Sequence, residues 1–566
     1  MVNREIAKAF YAIATYLYMD NVPFKPFAYE KVAQVLEALD QDVEEIYKKD
    51  GFEGLKGIAG VGEGLAKAIE EYLKTGTVRI LDEYKKKIPV KLDELMGVEG
   101  LGPKRIKTLY EKLNIKNLKQ LGQAAKKGKI KELFGFGEKV EKNILEGIDF
   151  LSRNKGRVLI GEIMPVVKDI LKRLGDLKEV KKISLAGSIR RMKETVGDVD
   201  ILVVAKNHGK VVDFFTKLPG VEKVWAKGST KASVHLKWGI DADLRIVPEK
   251  SYGSALQYFT GSKEHNIETR MIAISKGLKL NEYGVFSGSK MVAGKTEEGI
   301  YSALGLPWIA PELRENQGEL TNKLPKLIER EDIKGDLHCH SSWDGGRHSI
   351  EVMAKKAMDL GYKYIGISDH TEFLHIERGL TGGQLLKQKK EIEKLNLKYK
   401  DFKILHGCEA NVMADGSIDI KDEILSQLDY VIAGVHSQLK MGKDQMTERI
   451  IKAMRNPNVD IISHPTGRLI QQRDEYQIDI NRIFGVAKET ETILEINSSP
   501  YRLDLKDTNI KKAKEAGVKM IINTDAHEKE QMDQMEYGVS QARRGWAEKG
   551  DVINTQPLDK VLKYFK

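Results

Sequence analysis

Seven short apolar runs in the last two fifths of the chain, each able to form a buried strand, constrain the fold more than any other feature. Helical patterns such as 350–360 and 509–516 separate several of them, and strands that alternate with helices predict a parallel sheet. Strand, polar end and helix repeated seven times predict a parallel barrel with its chemistry at the carboxyl ends of the strands. The runs are 335–340, 364–370, 404–409, 430–436, 459–464, 493–497 and 520–527.

Histidine is concentrated in the same region, where nine of the 12 histidines follow residue 337. A single histidine at a strand end is more often structural than a ligand, but six of them with three acids would meet at one rim if the barrel closes. Imidazole and carboxylate ligands without thiolates suit Zn, Mn or Fe, and this set could hold up to about three ions. Such a centre favours hydrolysis of a phosphoester. The candidate ligands are His338, His340, Asp344, His370, Glu409, His436, His464, Asp525 and His527.

Paired acids mark a second candidate centre earlier in the chain. Successive side chains of a strand point to opposite faces, so Asp198 and Asp200 would share one face while the residue between them enters the core. The run 240–247 alternates in the same way and places Asp241 and Asp243 on one face. A lone pair of this kind is usually two solvated charges. Three or four acids on adjacent strands instead predict a two-metal cluster for phosphoryl or nucleotidyl transfer.

A turn upstream of the first acid pair supplies groups suited to phosphate. Gly187 permits close approach of a backbone, Ser188 supplies a hydroxyl, and Arg190 and Arg191 supply guanidinium groups. Acids and turn together predict a nucleoside-triphosphate site. The segment 258–262, with two adjacent aromatic residues before a glycine, would by default be core and turn, but a stacking or sugar-contacting role is the alternative at this place in the chain.

Glycine turns between helices recur three times in the N-terminal region. Residues 1–85 have the apolar spacing of helices, and 58–69, 96–106 and 133–140 each indicate a helix, a tight glycine turn and a second helix. The amides that begin such a second helix can bind one backbone phosphate. Three matching copies predict sequence-independent binding of a nucleic-acid backbone. The residues concerned include Gly60, Gly62, Gly100, Gly102 and Lys104.

Composition bounds the class of protein. A chain of 566 residues exceeds one ordinary core, so several domains are expected, and a net charge of +10 favours a polyanionic partner. The two cysteines, Cys339 and Cys408, lie far apart without a Cys-x-x-Cys pair, which argues against a disulfide framework and a thiolate zinc site. With neither a signal peptide nor an apolar run of membrane-spanning length, a cytoplasmic protein without a membrane partner is expected.

Residues 1–311 resemble a DNA polymerase of family X. The resemblance rests on GSIRRMKETVGDVDIL, DADLRIV, ALQYFTGSKEHNIETR and KGLKLNEYG, which occur in that order behind the glycine hairpins. It implies that Asp198, Asp200 and Asp243 are the catalytic residues and hold two Mg ions. Deoxynucleoside triphosphates and gapped or primed DNA are the implied partners, with Lys25 and Tyr29 at contacts to a 5′-phosphate. The implied nucleotide-binding residues are Gly187, Ser188, Arg191, Gly197, Arg157, Tyr258, Phe259, Gly261, Asn266 and Arg270.

Two positions depart from that family's pattern. The lysine that forms a Schiff base in some members aligns with Ala68, and Lys67 lies on a different helical face. Because a Schiff base needs an amine at that place, lyase activity by this route is not expected. Asp241 is an additional acid where the family often has a neutral or basic residue.

Residues 335–566 resemble the polymerase and histidinol phosphatase (PHP) domain, and the candidate ligands fall on ligand positions of that family. Asp344 is the choice for the early acidic ligand, since relatives often have Ser-Asp-Gly where this chain has Asp-Gly-Gly at 344–346. The ions would be Mn or Zn. Asp369 and Arg468 are expected to orient ligands or bind phosphate. A structural role is expected for His348, His375 and His406, and a buried spacer role for Cys339 and Cys408.

The sequence therefore predicts a multidomain fold: helix-hairpin-helix N-terminal domains, an α+β nucleotidyltransferase palm with a thumb-like subdomain, and a C-terminal distorted (β/α)7 barrel. The expected boundaries are 1–85 and 86–150 for the DNA-binding domains, 151–250 for the palm, 251–311 for the subdomain that closes on it, 312–334 for a polar linker and 335–566 for the barrel.

The expected function is that of a monomeric DNA-directed DNA polymerase that fills short gaps in repair of the base-excision type. A metal-dependent 3′–5′ exonuclease or 3′-end phosphoesterase activity would be coupled to it. Two alternatives stay open at this point: a DNA-binding, structure-specific nuclease (an AP endonuclease or 3′-phosphatase) with a weak polymerase half, and a nucleotidyltransferase that acts on RNA.

Overall fold

A computed structural model describes residues 2–39, 41–98, 101–154, 156–374 and 377–566. The chain divides into two compact units, residues 1–155 and 156–566. Within the described ranges, no helix combines the length and the apolar composition that a membrane span requires.

The N-terminal unit is helical, as its apolar spacing predicts. Ile6, Phe10, Ile13 and Leu17 line the buried face of the first helix, and one hydrophobic core continues from there to Ile144. A single core therefore serves both halves of this unit. Its helices are α1 (Val2–Met19), α2 (Lys25–Ala38), α3 (Val43–Lys56), α4 (Glu63–Thr75), α5 (Arg79–Lys87), α6 (Leu92–Met96), α7 (Pro103–Leu113), α8 (Leu118–Lys126) and α9 (Gly137–Asn154).

Glycine turns lead into three of these helices. Gly60 has a φ of 78°, a left-handed conformation that favours glycine, and Gly62 then forms the N-cap of α4 without a capping side chain. Gly102 forms the N-cap of α7 in the same way. In the third turn, Gly135 has a φ of 85°. This turn differs from the other two because irregular turns, and not a helix, lead into it after the end of α8 at Lys126. The first amides of α4, and in α7 the amides that follow Pro103, thus have no capping side chain at the helix start.

The palm, at the start of the second unit, has a five-stranded sheet in the order β2-β4-β7-β6-β5. Strands β4 and β7 are parallel, and the other neighbouring strands are antiparallel. Its elements are β1 (Val158–Leu159), α10 (Ile160–Gly175), β2 (Val180–Leu185), α11 (Gly187–Arg190), β3 (Thr195–Val196), β4 (Asp198–Ala205), α12 (His208–Phe215), β5 (Val221–Lys227), β6 (Lys231–Leu236) and β7 (Ile240–Ile246).

A thumb-like region follows the palm and continues into the segment 312–334. Its three short strands form an antiparallel sheet in the order β10-β9-β8. Although 312–334 was predicted to be a polar linker, Arg314 and Glu319 within it are buried, and they pair with Glu297 and His265. The elements are α13 (Tyr252–Thr260), α14 (Lys263–Ser275), β8 (Lys279–Asn281), β9 (Gly284–Ser287), β10 (Lys290–Ala293) and α15 (Glu297–Ala303).

The C-terminal region is a seven-stranded parallel barrel, which confirms the predicted fold class. The strands follow one another in sequence order, and a parallel bridge between Cys339 and Ala526 joins the first to the last. The elements are β11 (Gly335–Cys339), α16 (Ile350–Asp359), β12 (Tyr364–Ile367), α17 (Gly382–Lys398), β13 (Lys403–Asn411), α18 (Asp422–Leu425), β14 (Tyr430–Gly434), α19 (Lys443–Met454), β15 (Ile461–Ile462), α20 (Ile480–Glu489), β16 (Ile493–Asn497), α21 (Asp507–Ala516), β17 (Met520–Asn523), α22 (Met535–Arg544) and α23 (Leu558–Val561).

Tyr430 is one of the large side chains in the buried cluster below the rim of the barrel. The Tyr430 hydroxyl donates to the carbonyl of Leu337 across the barrel, at 2.7 Å. A Cβ on Gly366 or Gly407 would lie within 2.2–2.4 Å of this side chain, so both positions need glycine. The interior is therefore a packed core, and the ligands are confined to the strand ends.

The palm and the barrel share one interface within the second unit. Ile470, Leu503 and Tyr537 of the barrel belong to the hydrophobic core of the palm. A Cβ on Gly161 of α10 would lie 2.3 Å from Pro500, which shows how closely the two surfaces approach. These contacts join the palm to the barrel as one packed body.

Candidate functional sites

The palm acids lie on one face of two parallel strands. The register pairs Asp198 with Asp241 and Asp200 with Asp243, while Val199 and the residue opposite it are buried. The strand alternation expected from the sequence therefore brings the three candidate catalytic carboxylates to the same face.

Asp200 shows the electrostatic strain of this arrangement. Burial, and then the negative charges of Asp198 and Asp243, raise its pKa from 3.8 to about 6. Gly187 has a φ of 62°, and a Cβ there would lie 2.4 Å from Oδ2 of Asp200. Glycine at this turn thus lets the carboxylate approach the backbone that precedes α11.

The outer acids of the cluster have other partners. Asp243 accepts hydrogen bonds from Ser233 and lies 3.4 Å from the Lys231 ammonium. The additional acid, Asp241, accepts from the indole nitrogen of Trp225 and lies 2.6 Å from His235 Nδ1. The mutual repulsion among Asp198, Asp200 and Asp243 fits a divalent cation with oxygen ligands, which would neutralise them.

Two arginines flank the turn next to the acids. Arg157 bonds to the side chain and the carbonyl of Thr195, and its Nη1 would lie 3.5 Å from a Cβ on Gly197. Arg191 donates to the Thr260 carbonyl and pairs with Glu315 at 3.0 Å. Ser188 is half-buried in α11. Of the predicted phosphate-binding residues, Gly187 thus lies against Asp200, Arg157 lies beside Gly197, and Arg191 is bonded to the segment before Gly261.

The aromatic pair of the thumb-like region lies in the same neighbourhood. The rings of Tyr258 and Phe259 meet edge to face, with centroids 5.1 Å apart, and Arg245 of the acid-bearing strand lies 4.5 Å over Phe259. Asn266 donates to the Tyr258 carbonyl at 2.7 Å, and Arg270 lies over the Tyr258 ring.

Gly261 connects this group to the phosphate-binding residues. It has a φ of 70°, and a Cβ there would lie 3.1 Å from Arg191 Nη1. The Gly261 turn therefore lets the aromatic segment approach Arg191.

The helical unit carries the predicted DNA-binding residues on its surface. Lys25 is exposed at the start of α2, Tyr29 packs on Phe10 with centroids 5.1 Å apart, and Lys104 is exposed on α7. Gly60, Gly62 and Gly102 form the turns before α4 and α7. Gly100 lies outside the described residues.

The position aligned with the Schiff-base lysine is part of the core. Ala68 is 6% exposed, whereas Lys67 is exposed and pairs with Glu63 at 2.6 Å. The structure thus offers no amine at that place on α4.

At the rim of the barrel, the structure brings the other eight candidate ligands together around Glu409. One oxygen of this buried carboxylate lies 3.0 Å from His370 Nδ1 and 3.3 Å from His338 Nε2. Its other oxygen lies 3.1 Å from His464 Nε2 and 3.3 Å from His436 Nε2.

The remaining ligands extend the cluster. Asp525 lies 3.4 Å from His340 Nε2, and the His527 ring stacks on His340 at 4.0 Å. Asp344 accepts from His340 Nδ1 at 2.8 Å and from the His370 amide. All the candidate ligands except His464 belong to overlapping groups of three or four whose ligand atoms lie within 4.8 Å of one another, and Asp369 joins the group of His340 and Asp344.

An outer layer of polar groups orients the imidazoles. Glu495, which is fully buried, lies 2.6 Å from His338 Nδ1 and accepts from the His464 amide. Asn411 contacts His436 Nδ1 at 2.8 Å. With these nitrogens engaged, the opposite ring nitrogens face the centre, as second-layer partners of metal ligands do.

Sequence reasoning missed Glu495 and Asn411. The signals were an acid between apolar residues in β16 for Glu495 and, for Asn411, an amide two residues after Glu409 in β13, where alternation places it on the same face.

Several buried atoms in this cluster have no hydrogen-bond partner among the residues that the structure describes. They include Nε2 of His338 and His340, Nδ1 of His370 and Oε2 of Glu409. A buried polar atom without a partner is costly, so an external ligand is expected to engage these atoms. Burial alone would raise the pKa of Glu409, but the His338, His436 and His370 rings hold it well below its usual value. Nitrogen and oxygen donors without thiolate fit divalent transition metals.

The residues assigned other roles lie beside the cluster. His406 is buried against Gln388, where burial lowers its pKa to about 4, and Cys339 and Cys408 are buried free thiols. Asp369 bonds to Ser341 and Gln388 behind the ligands. Arg468 donates to Leu503 and Glu194, at the interface with the palm. His348 accepts from the Lys529 amide, and His375 lies outside the described residues.

Family comparisons match four segments of the chain. Residues 1–78 match a helix-hairpin-helix domain and 92–149 a SAM-like helix-hairpin-helix tandem. Residues 255–315 match the DNA polymerase beta thumb, and 336–499 match the PHP domain.

Comparison with curated proteins finds relatives of the whole chain and of its parts. The DNA polymerase/3′-5′ exonuclease PolX of Bacillus subtilis (strain 168) is 37% identical over 574 residues, covering 100% of both chains. A DNA polymerase lambda of Arabidopsis thaliana is 25% identical over 55% of this chain and 62% of its own length. A probable phosphatase of Thermoanaerobacter sp. (strain X514) is 31% identical over 41% of this chain and 94% of its own length.

Proposed function

The chain belongs to the family X DNA polymerases with a PHP domain, and we propose that it fills short gaps in DNA and processes 3′ ends at a second centre. Two carboxylate-rich centres on one chain, one open in the palm and one buried in the barrel, carry this proposal. The gap-filling reaction belongs to repair of the base-excision type.

In the palm, Asp198, Asp200 and Asp243 would hold two Mg ions. Bound divalent cations lower the pKa of a primer 3′-hydroxyl and neutralise phosphate charge. Arg191 and Arg157, with Ser188 and the Gly187 turn, would bind the triphosphate, since guanidinium groups and open amides suit phosphate oxygens.

The thumb-like region would bind the rest of the nucleotide. Tyr258 and Phe259 offer aromatic surfaces to sugar and base, and Gly261 permits the close approach of this segment. Asn266, fixed against the Tyr258 carbonyl, would contact the nucleotide, and Arg270 the template strand.

The helical unit would hold the DNA. Open amides at the starts of α4 and α7, beside Gly62 and Gly102, suit backbone phosphates without regard to sequence. Lys25 and Tyr29 would contact the 5′-phosphate of a gap. Because Ala68 is buried and carries no amine, removal of a sugar remnant through a Schiff base at that place is not part of the proposal.

In the barrel, the nine ligands around Glu409 would hold up to about three ions, Mn or Zn. Such ions activate water and stabilise charge on a phosphoester during hydrolysis. Glu495, Asn411 and Asp344 hold the Nδ1 atoms of His338, His436 and His340, so the Nε2 atoms are presented toward the centre. We propose that the substrate is a 3′-terminal phosphodiester or phosphate of the same DNA.

The experiment uses a gapped duplex with a 5′-labelled primer, incubated with and without deoxynucleoside triphosphates in Mg and then in Mn. Primer extension with triphosphates and shortening without them are expected. Parallel duplexes with a 3′-phosphate or an abasic site identify the preferred substrate of the barrel. Failure of the purified chain to extend the primer under any of these conditions would overturn the polymerase assignment.

A further inference from the structure

An ion-pair network joins the barrel to the phosphate-binding turn of the palm. Glu315 Oε1 accepts from Arg191 Nε at 3.0 Å and from Arg544 Nη1 at 3.1 Å. Arg544 is the last residue of the barrel helix α22. One carboxylate is thus shared by an arginine of the palm and an arginine of the barrel.

Arg544 also contacts the main chain of Arg191. Its Nη1 donates to the Arg191 carbonyl at 2.9 Å, and its Nη2 pairs with Asp507 at the start of α21. The side chain is 2% exposed. A planar guanidinium that is itself buried and held at both ends by half-buried carboxylates has little freedom to move, so the barrel fixes the position of this arginine.

The same network determines where the Arg191 guanidinium lies. Glu315 holds its Nε, and the Thr260 carbonyl accepts from its Nη1 beside the Gly261 turn. Only 12% of the Arg191 side chain is exposed. Preorganising a phosphate-binding cation in this way lowers the entropy lost when substrate binds.

From these contacts, we propose that Arg544 of the barrel is a positioning residue of the polymerase centre, which acts through Glu315 and Arg191 on the incoming triphosphate. This inference rests on the proposed function, because it requires that Arg191 bind the triphosphate. It makes the PHP barrel a structural part of the polymerase site as well as a separate centre.

The first arm of the test compares Arg544→Gln with wild type. We expect the KM for the nucleotide to rise about tenfold, with a smaller change in kcat, because a positioning contact is lost while the catalytic carboxylates remain. Arg544→Lys keeps the charge but cannot reach Asp507, Glu315 and the Arg191 carbonyl together, so an intermediate KM is expected.

Glu536→Gln is the matched control. It removes another ion pair between palm and barrel, from Lys168 to Glu536 at 2.8 Å, on an exposed surface. Its nucleotide KM should equal that of wild type. Exonuclease activity in Mn and the melting temperature of each variant report whether the barrel stays folded.

The second arm repeats Arg544→Gln in an Arg191→Gln background. If Arg544 acts through Arg191, adding Arg544→Gln to Arg191→Gln should change the nucleotide KM less than twofold, since the guanidinium that Arg544 positions is already absent. A further rise of about tenfold in the nucleotide KM in that background would overturn the inference and assign Arg544 to general packing between palm and barrel. An unchanged KM in the single Arg544→Gln variant would also overturn it. Absence of incorporation by wild type would instead overturn the proposed function, and this inference with it.

Discussion

The two candidate centres of this chain use strand ends in different ways. In the palm, Asp198 is exposed, and burial followed by the charges of Asp198 and Asp243 raises the pKa of Asp200. In the barrel, Glu409 is surrounded by imidazoles that keep its pKa low, and an outer layer fixes the rings. The palm thus has an open cluster of like charges, whereas the barrel has a preassembled set of mixed ligands.

This difference predicts that the two centres bind metal ions in different ways. Mg commonly uses one or two carboxylates together with substrate phosphates, so the palm site would be completed by the triphosphate. The barrel supplies nitrogen and oxygen donors from all around a buried centre, which suits ions that stay bound without substrate. We therefore expect resident ions in the barrel and ions that arrive with the nucleotide in the palm.

Separating the two activities should give the largest effects. Asp243→Ala should lower nucleotide incorporation by about 1,000-fold or more, since a metal-binding carboxylate is lost. Glu409→Gln should lower the rate of 3′-end hydrolysis by a similar factor, since a candidate metal-binding carboxylate is lost. Each variant should keep the other activity, measured on the same labelled gapped duplex.

Asp213→Asn serves as the control for the palm, because it removes an exposed carboxylate that pairs only with Lys227 among the described ion pairs. It should leave both activities unchanged. Loss of both activities in either centre variant, with the melting temperature preserved, would mean that the centres are not independent.

Removing the outer layer of the barrel should give the next largest effect. Glu495→Gln keeps the size of the side chain but removes the negative charge beside His338 Nδ1. Metal affinity of the barrel should fall about 10–100-fold, as for other second-layer partners. Metal titration of exonuclease activity measures this, with the exposed Glu489→Gln on α20 as the control. Equal metal requirements in the two variants would show that Glu495 does not tune the centre.

Lowering the pH should weaken Mg binding in the palm, because Asp200 becomes protonated. Its pKa is raised from 3.8 to about 6, so the proton is absent well above pH 6 and is bound increasingly as the pH falls below 6. Because metal must then displace this proton, the Mg concentration for half-maximal incorporation should rise by up to about tenfold per pH unit below 6. Incorporation at pH 7.5, 6.0 and 5.0 measures it. A constant Mg requirement across this range would contradict the shifted pKa.

The smallest effect is expected at the DNA-binding surface. Lys104→Ala on α7 should weaken binding of gapped DNA a few-fold and reduce the slope of log affinity against log salt by about one. Lys112, exposed at the other end of the same helix, provides the control. Fluorescence anisotropy at several salt concentrations compares the two, and equal slopes would place the DNA elsewhere.

Local pattern was enough to predict the barrel and to place the candidate ligands at its strand ends. Each predicted strand forms. His338 lies on its strand, and His370, His436 and His464 follow theirs within two or three residues, because strand period and strand end are properties of neighbouring residues. The same holds for Asp198 and Asp200.

Contacts between distant segments could not be predicted in this way. Glu495 meets His338 from 157 residues away, and Arg544 meets the Arg191 carbonyl from 353 residues away. The segment 312–334 is polar, and its composition predicts a linker. Its buried Glu319 is instead matched with His265, at a separation of 54 residues. Pairing of this kind depends on the tertiary fold.

The metal content of the purified chain tests the contrast between the two centres most directly. After exhaustive dialysis against metal-free buffer, elemental analysis should find transition-metal ions bound to wild type and to a variant with Asp198, Asp200 and Asp243 all changed to Asn. The ions should be absent from a variant with His338 and His340 changed to Ala. Equal retention in the histidine variant, or loss of the ions with the palm acids, would contradict the account of a preassembled barrel centre and an open palm centre.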